Sequence, residues 1–295
     1  MLSYLLALHF TQAHLLAQTA PSATPAEPEI VVRPQTVRSL PGALDQVPVF
    51  NSNSPELIGT PGILLSTFPS AGKAVPEAHL DFAFSQRFDI FAHHVYRAED
   101  PDDLRSMYLS ILVHNPSSTP VALEVLAGAS YLSQPDAPFI ELPAAVSFSP
   151  LAPIFAGPGS RAMGDLLQGR RQAIFPPTLT LAPGQSHLLL NQPIPVETLD
   201  PPINGRSTLI RLHSSGPVYV ASLAQYAATE SAAPTLEQWQ TLLETAGLAT
   251  PRDKVPTPIE AMPRQVIYGR VAGVSAGSSW TTAVTRSLAT LVVCG

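Results

Sequence analysis

The chain of 295 residues holds one cysteine, Cys294, at the penultimate position. No intrachain disulfide can form, so the fold rests on its apolar core. Charge is scarce as well: Asp, Glu, Lys and Arg make up 13% of residues, about half the share usual in soluble domains. The formal net charge is -6, and the basic residues are scattered. Nucleic-acid binding needs a clustered basic face, so no nucleic acid is expected as a partner. Beyond the N-terminus no apolar run reaches the ~20 residues that cross a bilayer as a helix, which excludes a transmembrane span of that kind. Walker and dinucleotide fingerprints are missing, as is H-E-x-x-H, and no cofactor is expected. What is abundant is proline, with 32 residues in a chain that is 45% apolar. Pro plus Gly stay below the low-complexity range, so the prolines punctuate a folded chain.

That punctuation separates short runs of alternating polarity. In 178–196, TLTLAPGQSHLLLNQPIPV, two such runs flank a Pro-Gly turn. In 108–131, YLSILV and VALEVL flank HNPSSTP, and in 207–223, STLIRL and VYVASL flank HSSGP. Each reads as a β-hairpin. Together they predict an all-β fold, a β-sandwich of immunoglobulin-like or jelly-roll-like kind, with long Pro-rich loops and one or two short helices. A further strand is expected over 88–96, FDIFAHHVY, with Asp89, Phe91, His93 and Val95 on one face and Phe88, Ile90, Ala92, His94 and Tyr96 on the other. Helical spacing marks 160–173 and, more strongly, 235–247. There Thr235 and Gln238 match a capping box, Leu236, Trp239, Leu242, Leu243 and Ala246 form one stripe, and Gly247 is a C-terminal stop. The first 29 residues open with a leucine-rich run and turn into small residues and prolines, as a secretory signal and spacer do. The expected organisation is a signal peptide over 1–20, a Pro/Ala spacer over 21–29, a β-sandwich domain over 30–233, a helix and Pro-rich linker over 234–264, and the start of an incomplete second β region over 265–295.

Six phrases carry a resemblance: VVRPQTVRSLPGALDQVPVFNSNSPEL, FDIFAHHVYRAED, SYLSQPDAPFIELP, AGPGSRAMGDLLQGRRQAIFP, NGRSTLIRLHSSGPVYVASLA and VIYGRVAGVSAGSSW. Together they resemble a cyanobacterial family of exported proteins known only as domain of unknown function 3370, over 30–280. The resemblance implies a bacterial envelope or secreted setting, periplasmic or extracellular, and no activity. Members of that family continue with β-rich sequence where this chain has TTAVTRSLATLVVCG. The resemblance therefore implies a chain truncated at its C-terminus.

The chemistry that can be sought in the residues points away from catalysis. Gly273, Ser275 and Gly277 spell G-x-S-x-G, but no His, Asp or Glu follows Ser275, so the hydrolase order serine, acid, histidine cannot be completed. His93 or His94 with Asp89, His79 and Asp81 offer metal-ligand types without metal-ligand spacing. Adjacent histidines on a strand face opposite ways, so structural histidines are the expectation. Asp100, Pro101, Asp102 and Asp103 read as a turn or a helix start, and Arg170 and Arg171 as a solvated or carboxylate-paired face. No catalytic, cofactor-binding or metal residue is assigned. The function expected is that of a non-enzymatic exported protein acting by surface contacts with an envelope protein or glycan. The alternative is a carbohydrate-binding module or carbohydrate-active enzyme, for which Tyr131, Phe139, Tyr219, Tyr226, Trp239 and Trp280 are the aromatics to follow. Two or more exposed coplanar aromatics beside carboxylates would favour the sugar reading.

Overall fold

The computed structural model describes residues 29–30, 46–139, 155–227, 232–252, 270–275 and 285–286. The expected signal peptide, the Pro-rich link over 253–269, Trp280 and Cys294 lie outside the described residues. Two compact units divide the chain. One comprises Met1–Gln35 with Thr281–Gly295; its described residues are β1, Glu29–Ile30, paired antiparallel with β12, Thr285–Arg286. The other, Thr36–Trp280, holds everything that follows.

This second unit is all-β with two short helices. Its strands are β2 (Val49–Ser52), β3 (Leu57–Ile58), β4 (Gly62–Ser66), β5 (Phe84–Arg97), β6 (Met107–His114), β7 (Val121–Leu132), β8 (Thr178–Leu181), β9 (Ser186–Ile194), β10 (Ile203–Tyr226) and β11 (Ala272–Ser275); the helices are α1 (Pro158–Leu167) and α2 (Leu236–Thr245). The organising element is β10, 24 residues long. Its first part lies between β5 and β7, and the sheet continues through β2 to β11 on one side and to β8 on the other. Its last eight residues lie between β4 and β6, with β9 beyond β6. The strand thus belongs to two half-sheets in turn. β2 and β3 run parallel to β5, and the remaining ladders are antiparallel. Phe50, Phe84, Phe88 and Ile90 from the first half-sheet meet Leu65, Ile111, Val113 and Leu190 from the second in one buried core.

None of the three expected hairpins exists, although their strands do. β6 and β7 flank the HNPSSTP turn but do not pair; each pairs with a different stretch of β10. β8 and β9 flank the Pro-Gly turn and likewise separate, β8 onto β7 and β9 onto β6. Both turns carry the chain from one half-sheet to the other. HSSGP is no reversal at all. The register with β5 breaks between Ser214 and Val218, and β10 continues past it. A proline is tolerated at such a bulge because the ladder is already interrupted there. The physical reason for the error is general: alternation reports that one face is buried, and says nothing about which strand lies alongside.

The other local expectations hold in part: α1 ends at Leu167, about midway through the expected 160–173 helix, and α2 ends at Thr245, so Ala246 of the expected stripe is its extended C-cap. Phe88, Ile90, Ala92, His94 and Tyr96 are buried on the core side of β5. α2 begins at the Thr235 capping box, with Thr235 Oγ1 accepting from Gln238 N and Gln238 Oε1 accepting from Thr235 N. Its Trp239 and Leu243 are buried against Ile63, Phe68, Tyr108 and Leu223. The indole N–H of Trp239 donates to Asn191 Oδ1 at 3.2 Å. β11 does not begin a separate sheet: it pairs antiparallel with β2 and forms the edge of the first half-sheet.

Candidate functional site

The site begins with a bulge in β7. Val125 is opposite Leu212 and Ala127 opposite Arg211, so Leu126 is the extra residue. Up to Val125 the odd-numbered residues point into the core, with Val121, Leu123 and Val125 all buried there. After the bulge the phase inverts. Ala127, Ala129 and Tyr131 now face outward, where α1 packs on them through Ala162 and Leu166. Small alanines at the floor let a helix approach closely. On the inner side Gly128 leaves room for Phe175, whose ring would stand 2.9 Å from a Cβ at that position.

α1 covers the floor incompletely. Between the helix and the strands lies a groove of about 440 Å³ lined by Val49, Asp89, Phe91, Gly159, Met163, Leu166, Leu209 and Arg211, with Ile90. That volume lies within the range of small-molecule sites. The register sets its rows: Arg211 is opposite Asp89, Leu209 opposite Phe91, and Ser207 opposite His93. One end is charged and the middle is apolar. At the charged end Asp89 is already ion-paired with Arg87. Among the described residues Arg211 reaches only the Leu166 carbonyl, at 3.4 Å, and its Nε is buried without a partner. Beside Phe91, Asn51 Oδ1 is likewise buried and unpartnered.

At the other end the outward-facing His93 joins three residues that sequence reasoning did not single out: Ser207, Glu56 and Arg270. His93 Nδ1 is 2.8 Å from Ser207 Oγ, His93 Nε2 is 3.4 Å from Glu56 Oε1, and Glu56 Oε2 accepts from Arg270 Nε at 2.6 Å. Burial pushes the His93 pKa below its ordinary value, and the Glu56 carboxylate offsets this only in part. The neutral ring donates through Nε2 to Glu56 and accepts the Ser207 hydroxyl at Nδ1. A serine, a base and an acid in that order form the nucleophile arrangement. Here it is closed. Ser207 is 1% exposed and lies under α1, 3.6 Å from where a Cβ on Gly159 would stand. Only the pairing register brings Ser207 to His93, and a single sequence carries no signal of register between distant strands.

His94 points the opposite way. Its Nδ1 is 2.7 Å from the Pro55 carbonyl and its Nε2 2.9 Å from Ser52 Oγ. A carbonyl only accepts, so Nδ1 carries the proton and Nε2 accepts the serine hydroxyl. Burial pushes its pKa down to about 3. His79 lies apart, held by Ser66 Oγ on β4 at 2.8 Å. The histidines and carboxylates weighed for a metal site are therefore divided between a strand's two faces and two half-sheets, and no cluster of three metal-ligating side chains occurs among the described residues.

The remaining expectations can be located. Gly273 and Ser275 lie within the edge strand β11, with Ser275 opposite Val49 rather than at a strand-to-helix elbow. In the Asp100–Asp103 turn, Asp102 N donates to Asp100 Oδ1, and Asp103 makes a two-pronged ion pair with Arg105 that draws its pKa down to about 2. Arg170 pairs with Asp165 at 3.4 Å, and Arg171 donates to the Phe175 carbonyl. Among the aromatics, Trp239 is fully buried, and Tyr219 packs on Phe68. Tyr226 meets Tyr96 edge-on beneath Arg105. Tyr131 donates to Asp165 at 2.6 Å and lies 4.1 Å beneath the Arg161 guanidinium. Phe139, at 67% exposure, is the one exposed ring of the five within the described residues.

Compared with known proteins, the chain matches one family over residues 35–293, and the description of that family is "Protein of unknown function (DUF3370)". No curated protein and no solved structure matches it.

Proposed function

The chain belongs to the DUF3370 family, and from that premise we propose an exported, non-enzymatic protein of the bacterial cell envelope that acts by binding, with the groove beneath α1 as its contact site. The observation that carries the binding reading is a contrast between neighbours. The groups equipped for chemistry, Ser207 and His93, are bonded to each other and buried, while the open concavity beside them is apolar. Catalysis requires a nucleophile that a substrate can reach, whereas binding requires a concave apolar surface with a few polar groups at its edge. Export is supported by the leucine-rich opening and the Pro/Ala spacer, which have the composition of a secretory leader.

Two measurements on native material test the reading. Mass spectrometry of protein from the envelope fraction should find an N-terminus between Gln18 and Ser22, and intact Met1 in a cytosolic fraction would end the export claim. A fluorophosphonate probe should leave Ser207 unlabelled in the folded chain. Stoichiometric labelling that is lost in Ser207→Ala would replace binding with hydrolysis.

A further inference from the structure

The groove's two ends differ in chemistry, and that difference specifies a ligand. Its apolar part is formed by Phe91, Leu209, Leu166 and Met163, with Gly159 at the far end. Gly159 to Leu166 spans eight residues of α1, about 10 Å along a helix axis. The opposite end is lined by one guanidinium, Arg211, and one carboxylate, Asp89. Arg87 and Asp89 neutralise each other, and Arg211, directly across the ladder from Asp89, has no carboxylate within ion-pair distance among the described residues. Its one hydrogen bond is long, and its Nε–H is buried without an acceptor. A guanidinium that lines a ligand-sized groove without a carboxylate partner leaves its charge for a ligand to meet.

Resting on the binding reading above, we infer that the groove takes a single-chain amphiphile with a carboxylate head, the head on Arg211 and the chain along Phe91, Leu209 and Met163 beneath α1. A carboxylate suits the position because it accepts charge-assisted hydrogen bonds from a guanidinium, about twice as strong as neutral ones. It also supplies the negative charge that Asp89, held by Arg87, does not. A neutral head would leave the cation uncompensated, and a cationic head would be repelled. Met163 at 41% exposure forms part of the groove's lining and marks where the chain enters.

The test is titration calorimetry of the purified full chain with decanoate and with decan-1-ol, repeated on Arg211→Gln, Arg211→Lys and Met163→Glu, each checked by circular dichroism. Decanoate should bind saturably. Arg211→Gln should weaken it by about tenfold or more, the usual worth of a charge-assisted hydrogen bond. Arg211→Lys should weaken it less, and Met163→Glu, an exposed position that folding tolerates, should abolish it by placing a second carboxylate in the groove. Decan-1-ol should bind more weakly than decanoate and equally well to the parent and to Arg211→Gln. Equal binding of acid and alcohol, or no effect of Arg211→Gln, would overturn the carboxylate assignment while leaving the groove a binding site. Absence of saturable binding by either compound to the parent chain would overturn both.

Discussion

His94 and His93 are neighbours in the chain and opposites in chemistry. Both ring nitrogens of His94 are engaged, by Pro55 and Ser52, in the buried interior. His94→Ala would strip two buried groups of their partners and should cost roughly 2–4 kcal/mol at neutral pH. Its titration sets the acid response. The unfolded chain binds a proton near pH 6.5, whereas folded His94 does so only near 3. The stability it contributes is therefore complete above pH 6.5 and is lost as the pH falls toward 3, at about 1.4 kcal/mol per pH unit for one proton. His79, His93, His114 and His187 are all shifted downward by burial and act with the same sign. Urea denaturation at pH 7, 6, 5 and 4 should show this fall, and His94→Gln should flatten it by about one proton; an unchanged slope would refute the assignment. The opposite orientation of the two histidines was legible from alternation alone. Ser52, Pro55, Ser207 and Glu56 were not, because each lies on another segment and meets its histidine through tertiary contact.

Among the elements, α2 was read correctly because everything that starts it is local. Thr235 and Gln238 are three residues apart, and their two hydrogen bonds need nothing outside the helix. Thr235→Ala should lower stability by about 1 kcal/mol, measurable as a shift in the urea midpoint without a change in slope. The hairpins were misread because their evidence was equally local while their outcome was not. β6, β7, β8 and β9 are strands as expected, but each takes its partner from β7, β10 or β6 rather than across its own turn. The bulge at Leu126 was not visible either, since VALEVLAGASYL alternates smoothly through its first half. It inverts the phase of β7 and places Gly128 against Phe175. Gly128→Ala should therefore cost about 1–3 kcal/mol through overpacking, although alanine is ordinarily harmless in a strand. A thermal melt equal to that of the parent would show that Phe175 can move aside.

At the scale of the whole unit, stability depends on β10, which is shared by both half-sheets, and on how the edges are closed. β11 covers the outer edge of β2, and Arg270, just before it, holds Glu56 beside His93. A chain stopped after residue 269 should expose the β2 edge and free the Glu56 carboxylate, whereas one stopped after Ser275 keeps both. The shorter chain should melt several degrees lower, as a difference of 1–2 kcal/mol does in a domain of this size, and should aggregate more readily. Equal melting temperatures would mean that β11 contributes nothing to the sheet.

What the sequence determined by itself was the set of things that depend on near neighbours: the all-β class, the positions of most strands, the faces of β5, the capping of α2 and the separation of His93 from His94. Alternation, turn residues and capping pairs act over a few positions and can be read from one chain. The tertiary structure decided the rest. It set which strands lie side by side, turned two supposed hairpins into crossings between half-sheets and a third into one continuous strand, and brought Glu56, His93, Ser207 and Arg270 together across more than two hundred residues of chain. It also opened the groove between α1 and Arg211. Those outcomes follow from packing two half-sheets against a single core, and the burial that drives packing favours any partner of the right face and size.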